Sequence, residues 1–175
     1  ESTTAVALAA WSLDRGHGLD RLDARKTASR LRSALCLSNS EHALIAGVLQ
    51  RRIDLLERFL SLGKAGQKRL ASAAGVPGAL ALLWVEDPAL AERIRARIEQ
   101  LSAEPGGLAP EPWVTGNDLI ERGWTPGPDF ARVLEHAYDL QLDGAATDRR
   151  ALLEQLADWG VNTGAQGRPG TAHGR

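Results

Sequence analysis

The chain has 175 residues and a mass of 18.8 kDa, with 43% apolar residues, 25% charged residues and a formal net charge of −1. This is a globular rather than disordered composition, and at this length a chain buries roughly 70% of the surface it exposes when unfolded. No apolar run approaches the ~20 residues of a membrane span and no signal peptide opens the chain.

A single cysteine, Cys36, excludes an internal disulfide framework and a cysteine-built metal site. It points to a reducing compartment, and so to the cytoplasm. No methionine is present, position 1 included. The expectation is a piece of a longer protein, or a chain whose methionines have been left unwritten.

Leu, Ala, Arg and Glu dominate, β-branched residues are few, and no stretch alternates apolar and polar residues as a strand does. The expected first helix runs over about Thr3–Leu13, with Val6, Ala9, Ala10 and Leu13 on one face, until Gly16 and Gly18. The second runs over about Asp23–Leu35, with Ala28, Leu31 and Leu35 inward. The third opens with the capping box Ser38/Glu41. It continues through Ile45, Val48, Leu49, Leu56, Phe59 and Leu60 to Gly63, with Arg51, Arg52 and Arg58 mostly off that stripe. A shorter helix is expected around Ala65–Ala74, stopped by Gly75 and Pro77, then an apolar turn or helix over Ala79–Val85. Asp87-Pro88 supplies an N-cap and a first-turn proline for a helix buried along Leu90, Ile94, Ile98 and Leu101.

Residues 102–112 hold Pro105, Gly106, Gly107, Pro110 and Pro112, the strongest linker signal in the chain. Three short helices follow, at about Thr115–Arg122, Pro128–Leu142 and Thr147–Trp159, with Gly123, Gly144 and Gly160 as positive-φ stops. The expected architecture is all-α: a helical body over 1–104, a linker over 105–112, a small three-helix tail unit over 113–160, and a disordered end over 161–175.

The charge is divided along the sequence. Arg21–Arg69 carries eleven bases and four acids, whereas Trp84–Asp143 carries twelve acids and five bases. Two readings fit. The basic stretch binds and attracts phosphate backbones, or its side chains lie on solvated helix faces and pair with the acidic half. In the first reading Arg51, Arg52, Lys64, Lys68 and Arg69 neutralise phosphates.

Residues 113–144 carry the most information. Thr115 caps a short helix with Asp118 reaching back, Gly123 closes it, and Pro126-Gly127-Pro128 turns into a second helix. Helix starts present unpaired N–H groups that bind anions, so Thr115, Gly116, Asn117 and Gly127 form a candidate backbone grip on RNA. Trp113 and Trp124 flank the first helix and either clamp it or, for Trp124, stack on an unpaired base. A plain αα-hairpin needs the same caps and turn.

This segment, Thr115-Gly-x-Asp-Leu-Ile-x-x-Gly-x-x-Pro-Gly-Pro128 followed by Leu134, Gln141-Leu142 and Asp143-Gly144, resembles the C-terminal part of the tRNA nucleotidyltransferase (CCA-adding enzyme) and bacterial poly(A) polymerase family. Leu31–Glu41, with its Leu-Ser-Asn-Ser-Glu, is similar to a helix start of the same family. The resemblance implies a helical body and tail that hold the tRNA acceptor arm in support of 3′-end nucleotide addition.

It also implies a separate catalytic head working with magnesium and ATP or CTP. This chain lacks the head's Gly-Ser and Asp-x-Asp elements, and Glu86-Asp87 leads into Pro88 rather than the neck's arginine-bearing motif. No catalytic residue and no cofactor is therefore expected in the chain itself. Its expected partners are tRNA or another RNA, the missing head, and a second copy, since bodies of this family often pair; no membrane is expected.

None of His17, His42, His136 and His173 is followed by aspartate, and no two share metal-ligand spacing. Cys36 reads as a small buried hydrophobe, and Trp11, Trp84 and Trp159 read as core. The principal alternative is a helical protein–protein interaction module, favoured if the basic side chains pair with acids over 86–121. A helix-turn-helix DNA binder would need Asp129–Leu142 in the major groove, and that helix is too acidic.

Overall fold

The computed structural model describes residues 3–15, 23–124 and 126–163. His17, Arg21, His173 and the expected disordered end from residue 164 lie outside the described residues, as does the side chain of Trp159. Every regular element among the described residues is helical. The helices are α1 (Thr3–Arg15), α2 (Ala24–Leu35), α3 (Asn39–Glu57), α4 (Lys64–Ala71), α5 (Val76–Glu86), α6 (Pro88–Ser102), α7 (Gly116–Glu121), α8 (Pro128–Asp143) and α9 (Arg149–Thr163). A 3-10 turn, Phe59–Ser61, follows α3.

The chain divides into two compact units, residues 1–62 with 66–108, and residues 63–65 with 109–175. In the first unit α3 is the central helix, packed by α1, α2 and α5. One part of its core joins Ala9, Ala28, Leu31, Ile45, Val48 and Leu49. The other joins Leu55, Phe59, Leu70, Ala79, Leu83 and Ile94. Gly75, at φ +90°, starts α5 against the α3 backbone, where a Cβ would stand 3.2 Å from the carbonyl carbon of Gly47. No other residue combines that left-handed turn with so close an approach.

The buried stripe of α3 is Ile45, Val48, Leu49, Arg52 and Leu55. Arg52 lies three and four residues after Leu49 and Val48, on the stripe itself, so its expected outward position is corrected. The helix ends at Glu57, before Gly63. Phe59, four residues after Leu55, stays on the stripe and is buried, whereas Leu56 and Leu60 are 40% and 38% exposed, which corrects their expected place on it.

Five further expectations are corrected. Leu35, Trp11 and Trp84 are 48%, 48% and 46% exposed, at the ends or edges of their helices. Cys36 is exposed as well: it is the C-cap of α2 in the left-handed conformation, φ 53°, which turns its side chain out of the core. Gly123 and Gly144 do stop their helices at positive φ, but α9 continues through Gly160.

The second unit packs α7, α8 and α9 around Leu119, Trp124, Val133, Ala137, Leu152 and Leu156. The end of the proline-rich stretch is tied to α8. The Tyr138 hydroxyl donates to the Pro110 carbonyl (2.9 Å) and the Gln141 amide to the Glu111 carbonyl (2.8 Å). Residues 109–112 therefore belong to this unit rather than to a free linker.

Candidate nucleic-acid interface

Of the five cations expected to meet phosphates, two are buried and none projects freely from the fold. Arg52 is 1% exposed. Its Nε and Nη2 donate to both carboxylate oxygens of Glu86 at 2.6–2.9 Å, joining α3 to α5. Lys68 is 3% exposed and paired with Glu104 at 2.9 Å. Both are corrected from phosphate ligands to internal ion pairs. Each is the partner of an acid from the chain's acidic half, and a charge removed from water needs such a partner. Arg51 bonds Asp54 at 2.9 Å and Arg58 bonds the same carboxylate from the next turn. Lys64 and Arg69 also engage other groups of the chain.

The expected helix-start grip is occupied by the chain's own carboxylates. Asp118 accepts from the backbone N–H of Thr115 (2.7 Å) and from its hydroxyl (2.8 Å). These bonds, with the Arg149 guanidinium, hold the Asp118 carboxyl below its ordinary range against the opposing effect of burial. At the start of α8, Gly127 is extended and exposed, and Asp129 places a negative charge in the first turn. An anion at either helix start would meet a carboxylate already there.

Gly116 has a packing reason. A Cβ on it would come within 3.2 Å of the Phe130 ring. Asn117 is exposed. Trp124 is 8% exposed and built into the second unit's core, so it does not offer its face to a base. Trp113 is 38% exposed, and its N–H donates to Gln141 Oε1.

Among the described residues, one cationic surface that faces solvent is α2. Its sequence, ARKTASRLRSAL, contains four bases and no acid. Ala24, Ala28 and Leu31 bury one side against α1 and α3, which turns Arg25, Lys26, Arg30 and Arg32 outward, all exposed. Lys26 shares a loose ion pair with the N-cap Asp23 at 3.4 Å. Arg25, Arg30 and Arg32 have no side-chain hydrogen bond or ion pair among the described residues. Beside them Ser29 Oγ lies 3.3 Å from His42 Nε2.

The basic composition of Arg25–Arg32 was visible in the sequence. What separates these arginines from Arg52 is burial, and helical spacing from Ala28 and Leu31 was the available signal. Among the described residues, no group of three or more His, Cys, Asp or Glu is placed to hold a metal, and no helix is long and apolar enough to cross a membrane.

The class defined by these features is an all-α protein of two helical units with an exposed cationic helix. No family model, curated protein or solved structure matches the chain.

Proposed function

We propose that this chain is an RNA-binding helical domain of a tRNA nucleotidyltransferase or poly(A) polymerase, gripping RNA in support of 3′-end nucleotide addition. The observation that carries RNA binding is the α2 face, where three exposed arginines have no acidic partner among the described residues. A helix of twelve residues is about 18 Å long, enough to lie along several backbone phosphates. The class of RNA rests on the resemblance of Thr115–Gly144 and Leu31–Glu41 to that family. The principal phosphate ligands in this reading are Arg25, Lys26, Arg30 and Arg32.

A second reading, a protein–protein interaction module, is favoured by two observations. Arg52 and Lys68 pair with Glu86 and Glu104. Trp84 and Val85 at the end of α5 are also solvent-exposed, Val85 at 84%, and exposed apolar residues of this size suit a partner surface.

The test is fluorescence anisotropy with a tRNA lacking its 3′ CCA, over a salt series, with duplex DNA as control. Parent chain is expected to prefer tRNA, and R25Q/R30Q/R32Q to lower the salt slope by about two to three. Absence of tRNA binding at low salt would move the interaction-module reading ahead.

A further inference from the structure

The second unit contains a groove that none of the foregoing roles uses. It lies between α7 and α9, has a volume of about 340 Å³, and is lined by Asp118, Glu121, Arg122, Arg149, Arg150 and Leu153. Three arginines line it: Arg122, the C-cap of α7, and Arg149 and Arg150, the first two residues of α9. Arg122 is exposed and has no side-chain bond among the described residues.

Arg149 is anchored by Asp118, whose carboxylate is also bonded to Thr115. The Arg149 guanidinium offsets the charge of that carboxylate. Arg150 bonds Glu154 one turn on, with the two side chains 87% and 63% exposed. An exposed pair at this spacing contributes little, so Arg150 exchanges Glu154 for a better anion at small cost.

We propose that this groove is a binding site for a single phosphate group. Arg122 and Arg150 are its donors, and Arg149, paired with Asp118, offsets that acid beside them. The arginine fork matches phosphate oxygens in geometry. The three bases and two acids of the lining leave one net positive charge, which neutralises one phosphodiester and does not suit a polyphosphate. As a subsite for an RNA backbone phosphate it rests on the function proposed above; as a site for a free phosphate ion it does not.

The experiment uses the full chain and the variant R122Q/R150Q, with Arg149 kept because it anchors Asp118. Circular dichroism checks that the helices are intact. In one arm inorganic phosphate is titrated at constant ionic strength while the arginine Nε–Hε resonances are followed by NMR. In the other, tRNA binding is measured across a salt series.

The expected result is a saturable shift of the Arg122 and Arg150 signals with phosphate, together with a fall of one to two in the tRNA salt slope of the variant. A phosphate shift with an unchanged slope identifies free phosphate as the ligand, and a changed slope alone identifies the RNA backbone. Neither effect overturns the site. If the parent fails to bind tRNA, the proposed function falls while the phosphate arm still decides the groove.

Discussion

Arg52 carries a charge into the first unit's core, and both oxygens of Glu86 receive it. Removing only the cation leaves a carboxylate in a site built for a pair. We expect Arg52→Ala to destabilise the protein by about 3 kcal/mol, the low end for a broken buried pair, because Glu86 keeps some contact with water. Replacing both partners, as R52M/E86L, should cost much less; urea unfolding of the two single variants and the double variant measures the difference. Cys36 presents the opposite case, a side chain in a conformation suited to glycine. Cys36→Gly should raise stability by about 1 kcal/mol, read as an increase in Tm. Neither environment was hidden for want of a motif. The spacing of Arg52 from Val48 and Leu49 already placed it inward. The left-handed turn at Cys36 depends on how the chain enters α3, and a cysteine does not announce it.

At the scale of elements, three helix starts were legible. Ser38 with Glu41, Asp87 with Leu90, and Thr115 with Asp118 all cap as their spacing implies. The last has a pH consequence. Asp118 titrates below its ordinary range in the fold because Thr115 and Arg149 stabilise its charged form. A lowered carboxyl contributes stability that is complete above the unfolded-state pKa and is lost as pH falls through the folded value. Thermal unfolding between neutral pH and pH 2 should therefore show a loss on the acid side of the ordinary aspartate range. Asp118→Asn should remove that component and lower stability at pH 7. Helix ends were less legible. α3 ends at Glu57 and a 3-10 turn carries Phe59 and Leu60, where a continuous helix to Gly63 was expected. Propensity in a run of good helix formers does not locate such a break.

For the whole molecule, the all-α class was readable from periodicity. The distribution of charge was readable only as a sum. Segregated charge along the chain says nothing about which cations are consumed inside the fold, and the answer is divided. Arg52 and Lys68 are spent on Glu86 and Glu104, while the arginines of α2 remain outward. The resemblance implied a ligand class before any side chain was placed, but pointed to Thr115, whose polar groups the fold uses for itself. Burial decides between these fates, and burial is a property of the packed helices rather than of composition.

The exposed position of Cys36 has a practical consequence for any study of self-association. It is the chain's one thiol and it stands at the solvent surface. In air-exposed buffer two chains can join through it by oxidation, in a geometry that owes nothing to a biological interface. A dimer that persists in excess reductant or in Cys36→Ser reflects contacts of the folded surface; one that vanishes in both is a covalent artefact. The same thiol, beside the outward arginines of α2, offers a unique attachment point for a nitroxide or fluorophore that would sense nucleic acid arriving at that helix.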